Sequence, residues 1–452
     1  MQTNDTIAAL ATPPGVAGLS VIRVSGRSAL SVGDALFSTM KQKPSVSPSH
    51  TVLYGYVKDE RDELLDTVTM TVFKAPNSYT GEDVIEIGSH GGNIVYRKLL
   101  ALIYNSGARP AEAGEFTKRA FINGKLDLTQ VEAVADLIHS ESEQGAAAAA
   151  QQLTGSMKKS LEEINASLKR AAGLLELELD FADDEAGFVD RGELIELLGD
   201  AKAKCLELSS GKRAADILRS GLHISLVGFP NAGKSTLFNA LLGEERAITS
   251  PIAGTTRDYL RESLFISGTA VHLYDTAGLR DSEDTIEVQG IALVEKVMEK
   301  SNLILLLKDL TKENDEWLGL HERLKKLYPN TKLKTVGTKL DLANESTNGN
   351  LDICLSSVKG TGLDQLKSVF TEIIEESTHI SGSSLINSRQ EELLKNAAER
   401  LDEAISATKS EMGNEIIGYE IREAADKISW ITGERWSEQV LNDVFSGFCI
   451  GK

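Results

Sequence analysis

The stretch Gly228-Phe229-Pro230-Asn231-Ala232-Gly233-Lys234-Ser235 decides the fold. An apolar run, Leu222-His223-Ile224-Ser225-Leu226-Val227, precedes it, and Thr236-Leu237-Phe238-Asn239-Ala240-Leu241-Leu242 follows with helical character. Strand, glycine-rich loop and helix in that order are the context a P-loop requires. Backbone N–H groups of such a loop, together with the helix N-terminus, form an anion site. Lys234 adds a point charge for terminal phosphates, and the Ser235 hydroxyl suits Mg²⁺. A chance match on a glycine-rich turn is the bland alternative; the complete pattern in its proper context argues against it. The chain therefore reads as a binder of a nucleoside triphosphate.

Outward from this loop, residues 216–379 alternate strand and helix, which predicts an α/β unit with a mainly parallel sheet. Strands are expected at 222–227, 262–267, 270–275, 302–308, 332–337 and 351–355. Both flanks are helical. Before the loop, Val131, Val134, Ala135 and Ile138 fall on one helical face. A longer stripe follows through Leu161, Ile164, Leu168, Ala171, Leu175 and Leu179, ended by the acidic run 180–185, and another helix is expected over about 191–210. After 385 come Leu394, Ala397, Ala398, Leu401 and Ile405, then Ile417, Ile421, Ala424, Ala425 and Ile428. Each flank alone is short for an independent core. They are expected to form one all-α domain, discontinuous in sequence (122–215 and 380–452), with the α/β domain inserted at 216–379. Residues 1–121 read as a mixed α+β domain, with strands near 19–24, 67–73 and 83–87 and a helix carrying Val95, Leu99, Leu102 and Ile103 on one face.

Later segments decide between adenine and guanine. Gly254-Thr255-Thr256-Arg257-Asp258 lies where a switch loop supplies a threonine to Mg²⁺, and Thr256 is the candidate. Asp275-Thr276-Ala277-Gly278 closes an apolar strand. Asp275 can hold Mg²⁺ through water, and the Gly278 N–H can sense a γ-phosphate. In Thr338-Lys339-Leu340-Asp341, the carboxylate can accept from the N1–H and N2–H₂ edge of guanine, which adenine lacks. Ser356 and Ser357 would lie against the base. Each short motif is weak alone; in order, each at a strand's C-terminal end, they mark a G domain. Thr338 departs from the superfamily's usual Asn, keeping a hydroxyl and losing an amide. Leu279 stands where Ras-like proteins carry the water-orienting glutamine. Glu287, at the start of an amphipathic helix, is a candidate for that task; an N-terminal helix acid favoured by the macrodipole is the even alternative. No arginine finger is assignable, and the Asn231 side chain could instead ligate a monovalent cation beside the phosphates.

With 452 residues, two or three domains are expected. No apolar run approaches the roughly 20 residues of a membrane span. The start, Met1-Gln2-Thr3-Asn4-Asp5, lacks signal-peptide character. Cys205, Cys354 and Cys449 are far apart, without metal-ligand spacing, so a reducing cytoplasm is expected. The net charge of −19 argues against strong nucleic-acid binding by this chain alone. It suits a basic partner, or solubility alone.

The P-loop sequence, Gly254-Thr255-Thr256-Arg257-Asp258, Asp275 to Arg280 and the terminal Phe448-Cys449-Ile450-Gly451-Lys452 resemble the MnmE (TrmE) family of tRNA-modification GTPases. So do Ala11 to Gly15, Ala75 to Asp83, Gly114 to Phe121 and Asn123 to Leu128, and the resemblance covers essentially the whole chain. It implies a folate-binding N-terminal domain that dimerises, a split helical domain and an inserted Ras-like G domain. It implies K⁺-stimulated GTP hydrolysis with G domains meeting across a homodimer. By position, Asn231, Ser250, Ile252 and Thr255 would surround K⁺, Ser235 and Thr256 would hold Mg²⁺, and Glu287 would be the general base or water-orienting residue. Nucleotide contacts would come from Asn231, Ala232, Gly233, Lys234, Ser235, Thr236, Ser250, Thr255, Thr256, Asp275, Thr276, Ala277, Gly278, Thr338, Lys339, Asp341, Ser356 and Ser357. A 5-formyl- or 5,10-methylene-tetrahydrofolate would lie on Arg23, Glu86, Lys125 and Lys452; taken alone, these residues read as a strand-edge arginine, a strand acid and solvated lysines. Cys449 is either a small apolar residue or a reactive thiol near the folate. The implied activity is modification of C5 of the wobble uridine of certain tRNAs, in a heterotetramer with a flavin-dependent subunit of the MnmG/GidA type that carries FAD. A regulatory or ribosome-assembly GTPase is the competing class; that nothing in the chain resembles an RNA-binding KH module counts against it.

Overall fold

A computed structural model describes residues 5–38, 42–180, 190–244, 261–275, 295, 297–312, 316–343, 351–381 and 385–452. The chain divides into two compact units.

One unit comprises Met1–Ala135, Leu153–Gly187 and Asn414–Lys452. Its sheet is built from β1 (Ile7–Leu10), β2 (Ala17–Ser25), β3 (Phe37–Ser38), β4 (Thr51–Lys58), β5 (Leu64–Phe73), β6 (Val84–Gly91) and β7 (Arg109–Pro110). The seven strands lie in the order β3-β4-β5-β6-β2-β1-β7. All pairings are antiparallel except β1 with β7. Alternation selects the inner face: Val68, Met70 and Val72 are buried while Thr67 and Thr69 are exposed. The inner face packs with the helix Asn93–Asn105, which buries Tyr96, Leu99 and Ile103. The expected face is thus turned slightly, because Tyr96 takes the central place and leaves Val95 and Leu102 half-buried.

In the same unit, the helix Ser156–Asp180 buries Leu161, Ile164, Leu168, Ala171 and Leu175. It packs along Asn414–Thr432, which buries Ile417, Ile421, Ala424 and Ile428. The helix Leu128–His139 differs from expectation. Its contacts run through Leu128, Val131 and Val134 to Leu441, Phe445 and Phe448. Ile138, beyond that cluster, is 43% exposed.

The other unit comprises Asp136–Gln152 and Phe188–Gly413. It holds β8 (Leu222–Gly228), β9 (Arg261–Ile266), β10 (Thr269–Asp275), β11 (Leu303–Asp309), β12 (Lys332–Thr338) and β13 (Ile353–Cys354). These form a six-stranded sheet, β13-β12-β11-β8-β10-β9. Every pairing is parallel except the β9–β10 hairpin. Near-continuous apolar runs, such as Leu303 to Leu307 with 0–1% exposure, fit a sheet covered on both faces. The last strand is shorter than the expected 351–355 because only Ile353 and Cys354 pair with β12. The helices Arg191–Ser210 and Ser388–Lys409 pack along each other. Asp190 caps the first by accepting from Gly192 N–H at 2.8 Å, and Asn387 with Gln390 forms a capping box on the second. The expected classes are all present: a mixed α+β N-terminal part, helical elements, and a doubly wound sheet carrying the P-loop.

The chemistry-bearing residues cluster at one edge of the second sheet. Strands β8, β10, β11 and β12 end in Gly228, Asp275, Asp309 and Thr338, and the C-terminal edge of a parallel sheet is where such folds bind ligands.

Candidate functional site: a P-loop with a base pocket, and an arginine–glutamate cluster

Strand β8 runs into the loop, and the helix Lys234–Glu244 starts immediately after it. The loop curls back through Asn231 at φ 63° and Gly233 at φ 85°. That left-handed backbone favours glycine at 233. The Lys234 ammonium donates to the carbonyls of Gly228 and Phe229, both at 2.9 Å, so the side chain bridges its own loop. Lys234 is 6% exposed. Ser235 Oγ donates to Asp275 Oδ2 at 2.9 Å. Two hard oxygens side by side next to a phosphate-binding loop fit the donor set of Mg²⁺. A cavity of about 980 Å³ opens over the loop, lined also by Leu320 and Arg323 of the helix Glu316–Leu327 and by Lys339. That volume accommodates a nucleoside triphosphate.

The ends of β12 and β13 carry the residues expected at the base. Asp341 Oδ1 accepts from the Ser356 hydroxyl at 2.6 Å. This hydrogen bond holds the Asp341 carboxyl below its usual range, so it stays ionised and can only accept. That suits the donor edge of guanine. The Lys339 ammonium reaches Asp309 Oδ2 at 2.7 Å. Burial raises the Asp309 carboxyl, but Lys339 and the donors of Thr311 outweigh it and leave it lowered. Thr338 is 1% exposed and its hydroxyl donates to the Ala232 carbonyl at 2.8 Å, with Lys308 O at 3.1 Å. Ser357 is half-buried beside Ser356.

The structure thus brings Asn231, Gly233, Lys234, Ser235, Thr236 and Lys339 to the lining of one cavity, with Asp275 and Thr338 bonded to the loop at Ser235 and Ala232 and Asp341 paired with Ser356 beyond the end of β12. Ser250, Ile252, Thr255, Thr256, Thr276, Ala277, Gly278 and Glu287 lie outside the described residues. Sequence reasoning missed Asp309 and Arg323. Asp309 carried a signal: it closes an apolar strand, as Asp275 does. Arg323 carried none, because only the packing of its helix turns it toward the loop.

The first unit gathers a second constellation. Arg23 of β2 and Glu86 of β6 are cross-strand partners. Arg23 Nε and Nη2 both lie 2.8 Å from Glu86 Oε1. The guanidinium carbon sits 5.3 Å from the Tyr79 ring centroid and 5.6 Å from that of Phe116, a cation–π arrangement. Lys452 lies close enough that burial, and then Arg23, push its ammonium pKa down, with Glu86 opposing. The terminal turn is seated by Gly451, at φ 99°, where a Cβ would come 2.3 Å from Leu10 O. Lys125 stands at the neighbouring turn, donating to Pro76 O at 3.1 Å with its stem 3.3 Å from the position of a Cβ on Gly81. Arg23, Glu86 and Lys452 therefore meet, and Lys125 flanks the turn that carries Tyr79. Tyr79 and Phe116 were not singled out from sequence, although Tyr79 lies inside a turn-rich stretch. A carboxylate for a donor edge, cations for an anionic tail and aromatic faces fit a folate. Cys449 is exposed, while its carbonyl accepts from Gly114 N–H at 3.4 Å and from Lys452 N–H at 3.3 Å.

Among the described residues, no helix is long and apolar enough to cross a membrane. The family model described as "MnmE helical domain" matches residues 128–449, and that described as "GTP-binding protein TrmE N-terminus" matches residues 6–125. The tRNA modification GTPase MnmE of Dichelobacter nodosus is 39% identical over 456 residues, covering 100% of both chains. That of Moorella thermoacetica is 38% identical over 468 residues, covering 99% of this chain and 100% of its own. Among solved structures, the G domain of the T. maritima FeoB iron transporter is 24% identical, with a TM-score of 0.26, covering 34% of this chain and 98% of that one.

Proposed function

The chain belongs to the MnmE family of tRNA modification GTPases, and from that premise we propose that it hydrolyses GTP to drive modification of C5 of the wobble uridine in certain tRNAs. Membership itself makes the chain a GTP hydrolase coupled to tRNA modification. The finer reading adds a carboxymethylaminomethyl or aminomethyl group, built with a folate one-carbon unit and a flavin-dependent partner subunit that carries FAD. The chain acts as a homodimer, forms a heterotetramer with that subunit and works in the cytoplasm, where tRNA is the shared substrate. Its domains are 1–121 for folate and dimerisation, 122–215 with 380–452 as the split helical domain, and 216–379 as the G domain.

The single observation that carries this reading is the gathering of Lys234, Ser235 and Asp275 at the loop, with the end of β12 tied to the loop through Thr338 and Ala232 and followed by the Asp341–Ser356 pair. In this reading Lys234 neutralises the terminal phosphates. Ser235 and Thr256 hold Mg²⁺, which offsets the charge of the phosphate oxygens. Asn231, Ser250, Ile252 and Thr255 hold K⁺, and Glu287 orients the attacking water. Asp341 selects guanine. In the first unit, Arg23, Glu86, Lys125 and Lys452 hold the folate, with Cys449 nearby as a reactive thiol.

GTP turnover by the full chain in K⁺ and in Na⁺ buffer tests the cation site. A rate several-fold higher in K⁺ is expected; equal rates remove Asn231 from the reaction. Equilibrium binding of 5-formyl-tetrahydrofolate tests the second constellation. Arg23→Ala should weaken it by roughly tenfold or more, since one charged hydrogen-bonding group and one cation–π partner are lost together. Unchanged binding removes Arg23 from the site.

A further inference from the structure

We propose that Thr338 makes this G domain indifferent to N7 of guanine, and that its hydroxyl serves to hold the P-loop onto strand β12. This rests on the assignment of the base pocket to Asp341 and Ser356. A threonine hydroxyl carries one proton. In this structure that proton goes to the Ala232 carbonyl at 2.8 Å, with the Lys308 carbonyl sharing it at 3.1 Å. Both acceptors are main-chain oxygens inside the protein. The residue is 1% exposed, and its Cβ and Oγ1 lie 3.4 Å from the position of a Cβ on Gly233. Thr338 is thus packed beneath the loop, with its only side-chain donor already used.

N7 of guanine is an acceptor and needs a donor. Thr338 has none left to offer. Asp341, ionised under the Ser356 hydroxyl, cannot donate either. The Lys339 ammonium, the remaining cation of this segment, has protons to spare but is held at the Asp309 carboxylate, 2.7 Å away, at the end of β11. Discrimination therefore falls on the donor edge of the base, read by Asp341. An asparagine at 338 would differ in kind: its amide has two protons, one for Ala232 O and one for the base.

Competition binding with GTP and 7-deaza-GTP, in which N7 is replaced by a C–H group, tests this on the unaltered chain. The two affinities should agree within about twofold, whereas one lost hydrogen bond would separate them by roughly fivefold. Thr338→Asn should create that roughly fivefold preference for GTP. Thr338→Val, which removes only the tether, should weaken both nucleotides by the same factor. The ratio of the two affinities does not depend on the fraction of protein that is folded, so a destabilised variant still reports. A fivefold preference for GTP in the unaltered chain overturns the proposal. So does a Thr338→Val variant that loses GTP while sparing 7-deaza-GTP. ATP binding as tightly as GTP would instead overturn the guanine-pocket assignment itself, a result the 7-deaza ratio cannot produce.

Discussion

In the proposed function Asp341 reads the base, with a charge that one neighbour maintains. The Ser356 hydroxyl lies 2.6 Å from it and lowers its pKa. A depressed carboxylate pKa means that the ionised form survives to lower pH, and that guanine binding is lost only as pH falls through the depressed value. Removing the hydroxyl by Ser356→Ala returns the carboxyl toward its ordinary 3.8. GTP affinity followed down the acid limb should then fail at higher pH in the variant than in the parent; coincident curves would detach Ser356 from this role. At this scale the sequence was unevenly informative. Lys234 and Ser235 were legible because a loop motif fixes their neighbours along the chain. Arg23 and Glu86 were not legible from their own residue types. They are 63 positions apart, and only the β2–β6 register makes them partners. The resemblance singled them out; the contact itself needed the fold. Thr338 was expected among the nucleotide contacts; that its buried hydroxyl donates to the Ala232 carbonyl of the P-loop needed the fold.

Elements were legible where periodicity was strong. The helix expected at about 191–210 spans Arg191–Ser210, and the first five expected strands of the P-loop sheet lie within a residue at each end. Helix faces were less secure. Tyr96 displaced Val95 and Leu102, and Ile138 was left exposed, because which side of an apolar stripe is buried depends on the partner surface. The pair Arg191–Ser210 and Ser388–Lys409 joins segments separated by the whole G domain, so it should answer strongly to single changes. Leu401 is fully buried, and Leu401→Ala should cost about 2–5 kcal/mol. Asn387→Ala, which removes the capping box, should cost about 1 kcal/mol. Urea unfolding of the full chain measures both, and a smaller loss for Leu401→Ala than for Asn387→Ala would contradict this packing.

For the whole molecule, the P-loop sheet interrupts a chain whose flanking helices bury their stripes elsewhere. A net charge of −19 leaves little general attraction for tRNA; the proposed partner subunit would then carry much of the basic surface. In the proposed function, nucleotide hydrolysis and uridine chemistry would occupy separate parts of one protein, linked by its changes of state. Mass spectrometry of the wobble uridine tests that link most directly, in tRNA from cells whose only copy of this chain carries Lys234→Ala. Loss of the C5 modification, with the variant present at normal abundance, is the predicted result. Fully modified uridine in those cells would contradict the coupling of GTP hydrolysis to tRNA modification.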